Sequence, residues 1–405
     1  MKRIYIIGTL DSKALELRYV QSLIQAAGGA TALVDVGTRS HDEACDISAR
    51  EVAAFHPHGA ESVLGLRDRG TAVTAMAEAC ARFMASRTDV AGVIGLGGSG
   101  GSAIASAGMH ALPIGVPKVL VSTLASTNAG PYIGATDVML LYSVTDIAGL
   151  NRISRAVLAN AAHAVAGMAN RQAPEVESKP PIGLTMFGVT TACVTHVAAR
   201  LKEQYDCLIF HATGTGGQSM ERLADSRLLD GVIDVTTTEI CDLLVGGVLS
   251  AGADRLGAIA RSRVPYVGSC GALDMVNFWT LQSVPEKFRQ RKLHRHSAQV
   301  TLMRTSLEEC TQIGRWIGDK LNACDGPLRF VIPELGVSAL DAPGEPFYDP
   351  AADAALFDAI EETVKTTSQR QLLRLPLHIN DPLFAAALGD HFLEIRSASL
   401  RGQSP

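Results

Sequence analysis

The chain has 405 residues, 47% of them apolar and 19% charged, which fits two hydrophobic cores and excludes a disordered polypeptide. A net charge of -5 without any Lys/Arg-rich run leaves no electrostatic footprint for nucleic acid, so no such partner is expected. No apolar stretch is long enough to cross a bilayer, and the run after Met1-Lys2-Arg3 is cut short by Gly8 and Asp11 with no small-residue cleavage site beyond it. The eight cysteines are scattered with no CxxC, as in a reduced thiol set, and the expected location is the cytoplasm.

In chain order, short β-branched runs predict strands at 3–8, 31–36, 90–95, 118–122 and 138–142. Amphipathic stretches between them predict helices at 14–27, 71–86, 102–109 and 147–170. Continuous apolar strands alternating with helices signal an α/β fold with a mostly parallel sheet covered on both faces. Residues 171–181 (RQAPEVESKPP) carry three prolines, mixed charge and no periodicity, and mark a boundary between domains 1–171 and 182–405. Beyond it the rhythm restarts, with strands at 182–186, 207–211, 231–236, 265–268, 329–332 and 372–377. Helices are predicted at 191–204, 217–225, 306–322, 351–366 and 382–392. The segment AGVIGLGGSGGSAIASA in the first half and CLIFHATGTGGQSMERLA in the second share a strand–glycine turn–helix pattern, as a partial duplication would leave.

Five glycines fall within Gly95-Leu96-Gly97-Gly98-Ser99-Gly100-Gly101, after a strand and before a helix. Such a turn frees backbone N–H groups at a helix N-terminus, where the dipole favours an anion. Gly95, Gly97 and Gly100 satisfy G-x-G-x-x-G, but the first acid after Gly100 is Asp137, too late for the ribose of a dinucleotide. No lysine follows the glycines as a P-loop requires. The first strand's end, Gly8-Thr9-Leu10-Asp11-Ser12-Lys13, supplies charge instead. Asp11 could orient magnesium or cap the helix, and Lys13 could meet a phosphate. Two more strand ends, Asp35-Val36-Gly37-Thr38 and Ser122-Thr123-Leu124-Ala125-Ser126-Thr127-Asn128, are equally polar. Ligands of open parallel sheets gather at such carboxyl ends.

These residues, IGTLDSKALELRYV (7–20), VDVG (34–37), GLGGSGG (95–101), VSTLAS (121–126) and YIGATDVMLLYSVTDIAGLN (132–151), resemble the Tm-one-like ATP-binding family. TMFGVTT, HATGTGGQSME, DVTTTEICDLLVGGVLSAG and RQRKLHRHSAQVTLMRT extend the resemblance over nearly the whole chain. It implies two tandem Rossmann-like domains, ATP in the first, and a homodimer. Motif position then assigns the ATP and Mg2+ site to Gly8, Thr9, Asp11, Lys13, Gly37, Thr38, Gly97, Gly98, Ser99, Gly100, Gly101, Ser122, Thr123 and Asn128.

The second half holds reactive side chains. His196 lies just inside a helix, His211 ends a strand before Thr213-Gly214-Thr215-Gly216-Gly217, and Glu239 follows three threonines. Cys270 stands before Asp274, and His294 and His296 share one side of an extended segment. Their convergence would serve general acid–base chemistry or a divalent metal; ordinary solvated histidines and a buried thiol are the alternatives. The chain is therefore expected to be a cytosolic metabolic enzyme using ATP on a small molecule. A lyase or hydrolase at the His/Glu cleft with nucleotide only regulatory, or a nucleotide-gated protein-binding module, are the competing readings.

Overall fold

In the computed structural model, which describes residues 2–39, 41, 43–127, 129–171, 174 and 178–402, the chain divides into two units, Met1–Glu175 and Val176–Pro405. Asn128 and part of the boundary segment (172, 173 and 175–177) lie outside the described residues.

In the first unit, β1 (Arg3–Gly8), β2 (Thr31–Asp35), β3 (Val90–Gly97), β4 (Lys118–Ser122) and β5 (Met139–Tyr142) form a sheet in the order β2-β1-β3-β4-β5, every pair parallel. Because side chains alternate across a strand, Tyr5 and Ile7 enter one core and Ile4 and Ile6 another. The first core takes Met76, Cys80 and Phe83 of the helix Arg69–Ala85 and Ile104 and Met109 of the helix Ser99–His110. The second takes Leu17, Val20 and Ile24 of the helix Leu10–Ala26 and Leu158, Ala162 and Val165 of the helix Arg152–Ala169. Strand order reverses between β1 and β3, so the turns after these two strands diverge and leave a crevice at their carboxyl ends.

The second unit repeats the plan with β6 (Pro181–Met186), β7 (Asp206–His211), β8 (Gly231–Thr236), β9 (Tyr266–Gly271), β13 (Leu328–Pro333) and β14 (Arg370–Leu375). All pairs are parallel in the order β14-β13-β9-β8-β6-β7. Between β9 and β13 the chain adds an antiparallel sheet of β10 (Met275–Phe278), β11 (Leu293–Arg295) and β12 (Thr301–Arg304), for which the sequence offers no expectation. β10 and β12 are four residues long and buried throughout, so neither shows the alternation that marks a strand. The two parallel sheets, covered by helices, are the tandem Rossmann-like arrangement expected. No helix among the described residues is long and apolar enough to cross a membrane.

Candidate functional site

The helices after β1 and β3 begin earlier than their sequence patterns indicate, at Leu10 and Ser99. The first turn of each therefore contains the polar residues read as turn. After β1, the buried Asp35 carboxylate organises the backbone: Oδ1 accepts from Leu10 N (3.0 Å) and Gly37 N (2.9 Å), and Oδ2 pairs with His41 Nε2 at 2.8 Å. One acid at the end of β2 thus ties two strand ends together. Thr9 and Ser12 hydroxyls meet at 2.9 Å, and Ser12 Oγ donates to Asp11 Oδ1 at 3.0 Å.

After β3, Gly98 caps the helix Ser99–His110 in an extended conformation (φ -80°, ψ -158°) and brings no side chain to its end. The first intrahelical bond runs from Ser102 N to Gly98 O. The N–H groups of Ser99, Gly100 and Gly101 precede it and have no intrahelical partner. They border a pocket of about 330 Å³ lined by Thr9, Asp11, Ser12, Lys13, Val36, Thr38, Arg39, Arg69, Val73, Gly98, Ser99, Gly100, Gly101 and Ile104. Three cations, Lys13, Arg39 and Arg69, face one carboxylate, Asp11, at the positive end of a helix dipole.

Of the residues the motifs single out, Thr9, Asp11, Lys13, Thr38 and Gly98 to Gly101 line this pocket, and Gly8, Gly37, Gly97, Ser122 and Thr123 are not part of its wall. The latter set supports it. A Cβ at Gly8 would lie 2.6 Å from Leu17 Cδ2, and one at Gly97 would lie 2.6 Å from Ser102 N. Ser122 Oγ accepts from Ser102 Oγ (2.8 Å) and from Leu124 N (3.1 Å), joining the turns after β3 and β4. The Lys13 ammonium donates to the Ile147 carbonyl at 2.5 Å. Arg39 and Arg69 were not read from the sequence. Arg39 adjoins Thr38 and could have been taken with it, but Arg69 belongs to no motif and reaches the pocket only through the placement of its helix. Both are exposed, and neither forms an ion pair among the described residues.

The corresponding turn of the second unit is closed. Gly214 (φ +86°) precedes the helix Thr215–Asp225, and the Glu239 carboxylate accepts from Gly214 N (2.7 Å) and Gly217 N (3.0 Å) through Oε1. The chain's own anion therefore occupies the place at a helix N-terminus that a phosphate would take. Glu239 Oε2 accepts from Arg255 Nε at 3.0 Å, and Arg255 also binds Glu221 (2.9 Å) and Asp234 (2.8 Å), all buried. Burial pushes the Glu239 and Glu221 carboxyls up while Arg255 pulls them back. Among the described residues, no hydrogen bond or ion pair joins His196, His211, His294 and His296 to one another or to Glu239. His196, His211 and His296 are exposed; His211 stands edge-on to Phe187 with ring centroids 5.3 Å apart, and the partly buried His294 lies 6.1 Å from Phe347. No group of three or more His, Cys, Asp or Glu arranged to hold a metal occurs among the described residues. Cys270 is fully buried, and burial pushes its thiol far above the range of a reactive thiolate.

The sequence profiles described as the N-terminal and C-terminal domains of uncharacterised protein family UPF0261 match residues 2–174 and 179–396. The chain belongs to that family. A UPF0261 protein of Rhizobium meliloti (strain 1021) is 63% identical over 387 residues, covering 96% of this chain and 97% of the relative. One from Clostridium tetani is 44% identical over 400 residues, covering 97% and 99%. The ToMV resistance protein Tm-1(GCR237) of Solanum lycopersicum is 41% identical over 423 residues, covering 98% of this chain but 56% of the plant protein. The Tm-one-like resemblance read from the motifs is thus a family relationship spanning both units.

Proposed function

We propose that the N-terminal unit binds ATP, and that the chain is a cytosolic enzyme that applies this nucleotide to a small molecule. The observation that carries the reading is the uncapped first turn of the helix Ser99–His110, open onto a pocket with three cations and one carboxylate. Three consecutive N–H groups suit the oxygens of a phosphate, and Arg39 and Arg69 would balance the charge of a triphosphate. Val73 offers partly exposed apolar surface for a purine face, backed by the buried Val36 and Ile104. A single carboxylate, Asp11, beside the Thr9 and Ser12 hydroxyls suits Mg2+ held mainly by phosphate oxygens and water, where the ion would neutralise phosphate charge. The contrast with the second unit supports the assignment, since Glu239 already fills the equivalent turn there.

Calorimetric titration of the full chain with ATP and Mg2+, alongside NAD, tests this reading. Saturable ATP binding is expected, weakened at least about tenfold by Gly98→Val, which would project two methyl groups into the pocket. Arg69→Ala should weaken ATP more than AMP. Absence of ATP binding by folded wild-type protein, or tighter binding of NAD, would overturn it.

A further inference from the structure

The C-terminal unit holds another pocket, of about 490 Å³, that contains none of the residues considered so far. It lies at the carboxyl ends of β13 and β14, which bring Glu334 and Arg374, and against the start of the helix Pro350–Thr363, which brings Asp353 and Phe357. Leu335, Pro343 and Tyr348 extend its apolar wall.

Its charge is one-sided. Asp353 is 5% exposed and lines the pocket, with Oδ1 on Arg304 Nη2 at 2.6 Å. Arg304 is shared: Asp341 Oδ1 lies 3.8 Å away, and Asp274 is held nearby through Ser338 Oγ at 2.7 Å. Asp274 and Asp341 each retain a buried Oδ1 with no hydrogen-bond partner. On the other side, Arg374 is divided among Glu334 (2.9 Å), Asp358 (3.1 Å) and Glu361 (2.9 Å). Six carboxyl groups therefore surround two guanidinium groups. His378 adds no free donor or acceptor, since Nε2 meets the Ser338 carbonyl (3.0 Å) and Nδ1 accepts from Asn380 N (3.1 Å).

We propose that this pocket binds a small organic cation, with its ammonium group against Glu334 and Asp353 and an apolar or aromatic body against Phe357 and Tyr348. A cation supplies the charge that two arginines leave short, and in a partly desolvated pocket that attraction is far stronger than in water. The inference is independent of the nucleotide reading.

It also requires binding to be linked to protons. Burial and the neighbouring Asp341 push Asp353 up to about 8 and Asp274 up to about 7, with Arg304 opposing both. At pH 7 both carboxyls retain proton occupancy in the free chain, and an ammonium ion beside Asp353, which lines the pocket, displaces it there.

The test is calorimetry of the full chain at pH 7, in two buffers of different ionisation enthalpy, with three probes of one size. 2-Phenylethylammonium should bind at least about tenfold more tightly than 2-phenylethanol and release protons, and phenylacetate should not bind. Glu334→Gln, at the exposed rim, should weaken the ammonium probe at least about threefold, and Asp353→Asn should reduce proton release. Binding of phenylacetate or 2-phenylethanol as tight as that of the ammonium probe, ammonium binding indifferent to Glu334→Gln, or no binding of any probe would each overturn the proposal.

Discussion

A Cβ added at Gly97 would lie 2.6 Å from Ser102 N and 2.7 Å from Gly101 C, whereas one added at Gly98 meets only Thr123 Oγ1, at 3.7 Å. The first contact is with backbone, which cannot move without shifting the helix Ser99–His110 off the sheet. Gly97→Ala should therefore cost about 1–3 kcal/mol, and Gly98→Ala should stay within about 0.5 kcal/mol of wild type. Denaturant melts of both variants check the contrast, and equal losses would show that the two glycines share one role. The run of glycines was legible in the sequence as an anion-binding turn, but this division of labour was not. It depends on where Ser102 N falls after the turn closes. Glu239 makes the same point: it was legible as a candidate catalytic acid after three threonines, yet its partners Gly214 and Gly217 are 25 and 22 residues away in sequence, and only the fold brings its Oε1 onto them.

The helix Leu307–Asn322 was the most legible helix, predicted at 306–322. Ser306 and Glu309 form a capping box, and Cys310, Ile313, Gly314, Ile317, Gly318 and Leu321 recur at helical spacing on its buried face. The two glycines on that face show why periodicity alone understates its packing. A Cβ at Gly314 would lie 2.6 Å from the Leu356 carbonyl, and one at Gly318 would lie 2.5 Å from Thr363 Cβ, both on the helix Pro350–Thr363. These helices approach closely because neither glycine carries a side chain, as small residues permit. Gly314→Leu should force them apart and cost about 3 kcal/mol, whereas Ser306→Ala should cost about 1 kcal/mol through the lost cap. Chemical denaturation of the two variants ranks them, and a larger loss for Ser306→Ala would contradict this packing account. The antiparallel strands β10, β11 and β12 escaped prediction for the opposite reason: β10 and β12 are buried runs of four residues and β11 has only three, so none offers a period to read.

At the scale of the whole molecule, each hydrophobic cluster is confined to one unit. Among the described residues, those built on β1 to β5 draw none from beyond Ala169, and those built on β6 to β14 draw none from before Ile182. Two separable unfolding transitions are therefore expected in calorimetry of the full chain, and the ionisable groups indicate how to assign them. In the C-terminal unit, burial pushes Asp242 up to about 7 against its Asn277 hydrogen bonds, and burial with the Asp341 charge pushes Asp274 to about 7 and Asp353 to about 8. A carboxyl raised in the folded state holds a proton that the unfolded chain has already released. Its stabilisation is complete below the ordinary carboxyl range and falls progressively as pH rises from about 4 to the folded value, so that its last part is lost between about pH 6 and 8. In the N-terminal unit the shifted acids lie the other way: the Ser48 N–H and Oγ hold Glu51 low, the Thr71 hydroxyl and N–H hold Asp68 low, and Lys118 outweighs burial at Asp137. Their stabilisation persists above the ordinary carboxyl range and is lost only in acid. Raising the pH from 6 to 8 should thus lower the C-terminal transition by at least about 3 °C and leave the N-terminal one nearly unmoved. ATP with Mg2+, at about 100 times its Kd, should add about 2.7 kcal/mol to the N-terminal transition alone. If one transition responds to both pH and nucleotide, the two units do not unfold as separate bodies, and a raised transition without pH sensitivity assigns the nucleotide to the N-terminal unit.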